Sequence, residues 1–444
     1  MKEKEIREAL DAREGIGTLN SMQEEMLRRS SEKRDIILLS PTGSGKTVAF
    51  LLPLLKWLRP TTGRVQAVIV APSRELVLQI ARVTANIAVG YRVVSLYGGH
   101  KVEDEVNSLS VIPDIIVATP GRLLDHAVRN NIDLTPVRIL VLDEFDKSLE
   151  LGFDDEMSRI MKRLKNVSRI ILTSATDADV LPDFLNLNDP VKINYLSGNK
   201  KLHQRMSVKS VRSGENDKLI SLYDLLTDIN RGEVPDRSII FVNHRESAER
   251  VHDYLRKRGV DSVLYHGALE QRDRESAIAL FNSGARPILV ATDLAARGLD
   301  IRNVKNVVHY HQALSPEAYT HRNGRTARVD ERGDVYILLG PDEELKEYVG
   351  DNDSYRISAN TEANMRSGLE VLYISAGKRE KLSKGDILGF LTKQAGLPGS
   401  EIGKIEVFDH YSLVTLPADA ARELESVSNS FKIKGEKRKV TLLK

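Results

Sequence analysis

The chain has 444 residues, 41% of them hydrophobic and 29% charged, a balance that excludes a disordered or fibrous protein. Such a length exceeds one ordinary core and calls for two or three domains. The formal net charge of +2 leaves any nucleic-acid affinity to local basic faces, and the lack of cysteine excludes disulfides, thiolate metal sites and thiol catalysis while fitting a reducing compartment.

The chain starts with Met1-Lys2-Glu3-Lys4-Glu5, charged and without the apolar core of a signal peptide. Its most apolar stretch, residues 48–58, is interrupted by Pro53 and Lys56 and is too short to span a bilayer. A cytoplasmic protein without membrane contact is expected. Short β-branched apolar runs alternate with helical patterns, which predicts parallel strands at 35–40, 66–72, 93–99, 114–120, 139–146 and 169–175. After Asn188-Asp189-Pro190 the alternation lapses, and residues 196–201 (Leu-Ser-Gly-Asn-Lys-Lys) are predicted as a linker. A second series of strands is predicted at 238–243, 263–267, 287–293, 306–311 and 334–340. From about residue 368 the texture changes to a glycine-containing unit with 13 Lys/Arg against 10 Asp/Glu, more positive than the whole chain. The expected architecture is two tandem α/β domains, 1–204 and 205–367, followed by a small basic α+β module, 368–444.

Ser40-Pro41-Thr42-Gly43-Ser44-Gly45-Lys46-Thr47 joins a strand to a helix, the context a phosphate-binding loop requires, although the strict pattern has Gly where Ser40 stands. Gly43 and Gly45 let N–H groups turn inward, Lys46 reaches β- and γ-phosphates, and the Thr47 hydroxyl suits Mg²⁺. At the end of an apolar strand, Asp143-Glu144-Phe145-Asp146 adds a carboxylate for Mg²⁺ (Asp143) and one to activate water (Glu144). Far downstream, His321-Arg322-Asn323-Gly324-Arg325-Thr326-Ala327-Arg328 packs three arginines into eight residues, a pattern suited to sensing phosphates.

Taken in order, these segments resemble the DEAD-box RNA helicases. Ala71-Pro72-Ser73-Arg74-Glu75-Leu76 is similar to the family's Pro-Thr-Arg-Glu-Leu motif, and Gly98-Gly99 to its glycine doublet. Thr119-Pro120-Gly121-Arg122 and Ser174-Ala175-Thr176 match outright. Gln271 and Arg274, then Ala291-Thr292-Asp293 with Arg297-Gly298-Leu299-Asp300, and finally His321 to Arg328 resemble the later motifs. The resemblance spans residues 15–328 and implies two RecA-like P-loop NTPase domains that use ATP and Mg²⁺. It implies that Gln23 reads adenine, that Thr42, Gly43, Ser44, Gly45, Lys46 and Thr47 cradle phosphate, and that Asp300 faces the ribose. Arg325 and Arg328 become arginine fingers, while Asp146, Ser174, Thr176 and His321 couple hydrolysis to RNA. RNA contacts would fall on Arg74, Gly99, Thr119, Gly121 and Arg122, and on Arg245, Gly267, Arg274 and Thr292.

Five positions depart from the family pattern. Leu19-Asn20 replaces Pro-Thr ahead of Gln23, and Ile6 stands near the place of the aromatic that stacks on adenine, so adenine is expected to be held weakly. Phe145 replaces a methyl side chain, an overpacking expected to cost about 1–3 kcal/mol unless neighbours adjust. Asn323 replaces an apolar residue.

The last module resembles the RNA-recognition-motif-like domain that ends DbpA-type helicases, with Lys404 and Phe408 as expected RNA contacts. In those proteins the domain grips a hairpin of large-subunit ribosomal RNA, so ribosomal RNA or pre-ribosomal particles are the expected partners and ribosome assembly the expected setting. A monomer is the default. The leading expectation is an RNA-dependent ATPase that opens short duplexes. An ATP-gated RNA clamp or chaperone with little unwinding is the alternative. A DNA translocase shares the ATPase core, but the Asp-Glu-x-Asp and Ser-Ala-Thr forms argue against it.

Overall fold

A computed structural model describes residues 1–41, 43–177, 181–196, 206–296, 301, 304–326, 332–358, 363–408, 410–426 and 432–443. It contains two compact units, the first built on Met1–Gln204 and the second on Arg205–Ala296 with Ile301–Lys444.

In the first unit the strands are β1 (Ile36–Leu39), β2 (Ala67–Val70), β3 (Val93–Leu96), β4 (Ile115–Ala118), β5 (Ile139–Leu142), β6 (Arg169–Ser174) and β7 (Val191–Asn194). They pair in parallel in the order β3-β4-β2-β5-β6-β1-β7. Central strands such as Ala67–Val70 and Ile115–Ala118 are apolar throughout because helices cover both faces. Alternate side chains therefore feed two cores: Ile69, Val117 and Val141 point into one, Val70, Ile116 and Leu142 into the other.

All six strands predicted for this unit are present, each with a shorter ladder than its apolar run. The apparent lapse after Pro190 conceals the edge strand β7, whose Val191 and Ile193 are buried while Lys192 and Asn194 are exposed. That alternation is the signal the sequence reading missed. Of the predicted linker, residues 197–201 lie outside the described residues.

Phe145 is buried in the second core and meets Phe184 edge-to-face at 6.4 Å. The ring is turned into the apolar layer beneath the acidic strand end, so the expected crowding is absorbed by core packing. Ile6 is also fully buried, in the first core with Leu10 and Met26.

In the second unit a parallel sheet of the same kind comprises β8 (Met206–Arg212), β9 (Ser238–Phe241), β10 (Ser262–Tyr265), β11 (Ile288–Ala291), β12 (Asn306–His309), β13 (Gly333–Leu339) and β14 (Asp353–Ser354), in the order β10-β11-β9-β12-β13-β8-β14. The five predicted strands are present; β8 and the short β14 were not foreseen. A separate antiparallel sheet carries β15 (Leu369–Ile374), β16 (Ile405–Val407) and β17 (Ser412–Pro417), with a hairpin of β18 (Lys432–Ile433) and β19 (Glu436–Lys437) before β20 (Val440–Leu442). The sheet order is β16-β17-β15-β20.

One face of this antiparallel sheet buries Leu372, Ile374 and Val414 under its own helices. On the other face Val371 and Leu413 pack against Leu280 and Ala285, from the end of helix Gln271–Ser283 and the turn after it. Arg286 reinforces this seam through both oxygens of Glu370, at 3.3 and 3.1 Å. Among the described residues no helix is long and apolar enough to cross a membrane.

Phe145→Ala installs the side chain the family pattern has, yet here it should open a cavity and lower the stability of the first unit by about 3–5 kcal/mol. Urea unfolding of the full chain measures this; a change below about 1 kcal/mol would show that the ring is not a core anchor.

Candidate functional site

Three neighbouring strands, β5, β6 and β1, deliver their carboxyl ends to one edge of the first sheet. Ser40 follows β1, Ser174 closes β6 and Asp143 follows β5, so segments more than a hundred residues apart in sequence become neighbours. Gly43 and Gly45 take φ of +79° and +90°, left-handed conformations that suit glycine. Gly45 caps the helix Lys46–Trp57, and a Cβ there would lie 2.7 Å from Gln23 Nε2.

Gln23 Nε2 donates to Gly45 O at 3.3 Å, and Asn20 Nδ2 donates to Ser44 O at 3.1 Å. The two residues also form a reciprocal capping box at the start of helix Ser21–Arg29. Asn20 is thus an effective cap in place of threonine, and the departure at this position leaves Gln23 anchored to the phosphate loop. Ser40 Oγ bonds Ser44 Oγ at 2.7 Å, which gives the unusual Ser40 a partner within the loop. Lys46 Nζ donates to Ser40 O at 2.9 Å.

Asp143 is buried and accepts the Thr173 hydroxyl at 2.5 Å; the same oxygen of Thr173 accepts from Glu144 N at 3.1 Å. Burial pushes the Asp143 carboxyl above its ordinary pKa, and the positive charge of Lys46 opposes that rise. A desolvated carboxylate beside a single ammonium is suited to a further cation. Among the described residues no group of three or more His, Asp or Glu could hold a metal by itself. The buried Asp143 carboxylate, at the sheet edge that carries the phosphate loop, fits Mg²⁺, which keeps few protein ligands and fills its shell with water and phosphate oxygens.

Glu144 sits at φ +46°, a left-handed conformation costly for a residue with a Cβ and frequent at functional sites. Asp146 ties the acidic segment to the next strand: its Oδ2 accepts from Ala175 N and Thr176 Oγ1, both at 3.2 Å. Ser174 Oγ donates to Thr176 O at 2.6 Å and closes that turn.

In the second unit, helix Pro316–Asn323 is capped by Ser315 and carries His321, Arg322 and Asn323, all buried. Arg322 is a clamp. It donates to Asp293 Oδ1 at 2.5 Å, to His311 O at 2.8 Å and to Asn243 Oδ1 at 2.8 Å, fastening the ends of β11, β12 and β9 together. Asn323 Oδ1 lies 2.8 Å from His309 Nε2. Burial and the nearby Arg322 pull the His309 pKa down to about 3, so the neutral ring donates and Asn323 accepts. The polar departure at 323 therefore has its own buried partner. Arg325 is buried. Thr42, Asp300 and Arg328 lie outside the described residues.

The expected RNA contacts occupy the other half of each sheet. Arg74 follows β2, Gly99 follows β3, and Thr119, Gly121 and Arg122 follow β4, with β3-β4-β2 contiguous. Gly99 has φ +101°, a left-handed backbone that favours glycine, and the Arg74 guanidinium lies directly against it. In the second unit Arg245 follows β9, Gly267 follows β10 and Thr292 follows β11, again on contiguous strands, with Arg274 on the helix after Gly267. Arg245 is exposed and pairs with Glu246, whereas Arg274 is buried.

On the antiparallel sheet, Phe408 stacks on Tyr411 at 4.6 Å and Tyr411 on Tyr373 at 5.5 Å, a half-buried ladder. Lys404 is half-exposed and bonds Glu406 at 2.5 Å. Sequence reasoning overlooked Asn20, Thr173 and Arg322. All three adjoin or lie inside motifs already recognised: Asn20 is near Gln23, Thr173 is beside Ser174, and Arg322 stands within His321 to Arg328, where it was counted without a role of its own.

Residues 20–183 match the DEAD/DEAH box helicase family, 217–330 the helicase conserved C-terminal domain and 371–442 the DbpA RNA binding domain. The chain is 32% identical to the ATP-dependent RNA helicase DbpA of Escherichia coli (strain K12), over 97% of this chain and 95% of that protein. It is similar in structure to S. cerevisiae Dbp5 bound to RNA and ADP BeF3, with a TM-score of 0.69 and 26% identity over 80% of this chain and 93% of that one. Mss116p bound to ssRNA and AMP-PNP gives a TM-score of 0.67 at 29% identity, covering 80% of this chain and 78% of that one.

Thr173→Val keeps the shape of the side chain but leaves Asp143 and Glu144 N without the hydroxyl they share. Stability should fall by about 1–3 kcal/mol in urea unfolding and ATP turnover should drop with it. Thr173→Ser should restore both; a fully active valine variant would show that the hydroxyl is dispensable.

Proposed function

Because the chain belongs to the DEAD-box ATP-dependent RNA helicases of DbpA type and is an RNA-dependent ATPase, we propose that it locally opens short RNA duplexes during assembly of the large ribosomal subunit, held near its target by residues 368–444. The observation that carries this reading is the adjacency of β5, β6 and β1, which brings Lys46, Asp143, Glu144 and Ser174-Ala175-Thr176 to one sheet edge. On this reading the domains run 1–204, 205–367 and 368–444.

Thr42 to Thr47 cradle the phosphates, Gln23 reads adenine and Asp300 faces the ribose. Lys46 neutralises the β/γ-phosphate oxygens, and Thr47 and Asp143 hold Mg²⁺, which supplies charge for the transferring phosphoryl group. Glu144 orients and deprotonates the attacking water, while Arg325 and Arg328 stabilise charge on the γ-phosphate. Asp146, bonded to Ala175 and Thr176, transmits the state of the phosphate site to the loop after β6, and His321 belongs to the same relay.

RNA is gripped through its backbone by the loops bearing Gly99, Thr119 and Gly121 in one unit and Arg245, Gly267 and Thr292 in the other. Lys404 and the Phe408 edge of the aromatic ladder supply phosphate contact and stacking in the third domain. Of the sequence departures, Phe145 packs in the core and Asn20 shares a capping box with Gln23, so both are compatible with turnover; the alternative, an ATP-gated RNA clamp or chaperone with little unwinding, uses the same site and would be favoured by tight RNA retention without duplex opening.

Glu144→Gln should lower RNA-stimulated ATP turnover by at least about 10²-fold while ATP and RNA still bind. Turnover in the unmodified protein that is high and indifferent to RNA would sink the reading. Removal of residues 368–444 should abolish any preference of ATPase stimulation for ribosomal RNA over unrelated RNA; equal stimulation before and after truncation would reduce the domain to a general basic grip.

A further inference from the structure

Glu105 belongs to no motif, yet it is the most heavily engaged carboxylate near the RNA loops of the first unit. It lies on helix Val102–Leu109 and is 3% exposed. Its Oε1 accepts from Tyr97 N at 2.8 Å and stands 3.2 Å from His100 Nε2. Its Oε2 meets Arg122 Nε at 3.0 Å and His126 Nε2 at 2.8 Å.

His126 is fully buried, and its Nδ1 lies 3.0 Å from Asn131 Nδ2, a nitrogen that can only donate. Nδ1 is therefore the acceptor and Nε2 carries the proton that points at Glu105. Tyr97 N and His126 Nε2 hydrogen-bond one buried carboxylate, and Arg122 and His100 close on it, so the loop after β3 and the helix after β4 are tied at a single point.

Arg122 is equally committed to the protein. Besides Glu105, its Nε reaches Tyr97 O at 3.2 Å and its Nη2 reaches His100 O at 3.1 Å. Its positive charge is thus answered within the fold. Its Nε and Nη2 are turned to the loop and to the buried carboxylate.

We infer that Glu105 is a positioning residue for RNA binding, which fixes loop 97–100 against the Thr119–Pro120–Gly121–Arg122 turn, and that Arg122 is its internal partner rather than a ligand of RNA phosphate. The reason is geometric. RNA gripped by glycine N–H groups and a threonine hydroxyl needs those groups at a fixed spacing, and no flexible side chain can correct an error in the backbone. The inference rests on the RNA-dependent ATPase reading.

The two roles for Arg122 predict opposite signs. Glu105→Gln keeps the side-chain size and removes one negative charge. If Arg122 were a phosphate ligand, the freed positive charge would tighten RNA binding and steepen its salt dependence. If Glu105 positions the loops, the KM for a single-stranded RNA in the ATPase assay rises about tenfold and the loss sits in KM rather than in kcat.

Arg122→Lys is the second arm, because it keeps the charge and loses the fork. The same rise in KM is expected, and this arm keeps the inference open to refutation even if Glu105→Gln does not fold. An RNA KM that is unchanged or lower in Glu105→Gln, or near the parent value in Arg122→Lys, overturns the inference. ATPase activity of the unmodified chain that ignores RNA would instead defeat the functional reading on which it rests.

Discussion

A parallel strand covered by helices on both faces can carry polar chemistry only at its ends. Both large sheets of this protein obey that constraint. Strands such as Ile139–Leu142 and Ile288–Ala291 are four apolar residues long and fully buried, and the reactive or ligand-facing residues begin at the next position. The strand order then decides which of those ends become neighbours. In the first sheet β5-β6-β1 gathers the phosphate loop, the acidic segment and Ser174-Ala175-Thr176, while β3-β4-β2 gathers the loops expected to meet RNA. The second sheet repeats the division, with β10-β11-β9 bearing Gly267, Thr292 and Arg245, and β12 leading to the arginine helix.

Charges drawn below the surface near these edges are each given a partner, and the partners double as structural ties. Thr173 serves Asp143 and the Glu144 backbone together; Arg322 joins three strand ends; Glu105 joins the loop after β3 to the helix after β4. Burying a charge without such partners is expensive, and removing one partner leaves the other stranded. The same bonds that meet this cost also hold the loops in register, so stability and site geometry are linked through the same side chains.

The third sheet is attached on a different principle. Its outer face is partly occupied by Leu280 and Ala285, with Arg286 gripping Glu370, and the remaining part displays the ladder of Phe408, Tyr411 and Tyr373. The ladder packs beside this seam and is half-buried, whereas Lys404, ahead of the edge strand β16, stays exposed.

The sequence alone determined the α/β class, eleven parallel strands, the phosphate loop, the acidic strand end and the family resemblance, because those features are local: apolar runs, turn glycines and motif spacing are written in consecutive residues. It hid β7 and β14, which are edge strands, and β8, whose apolar residues are interrupted by Ser207, Lys209 and Ser210, and it exaggerated the threat of Phe145, since a side chain's direction depends on which core lies beneath it. Only the tertiary structure decided that Arg322 is an interior clamp, that Asn323 pairs with His309, that Asn20 and Gln23 reach the backbone of the phosphate loop and that Glu105 gathers the loop and helix around Arg122. Each of these is a contact between segments whose separation along the chain conceals their adjacency, and strand order, which no local pattern encodes, is what brings them together.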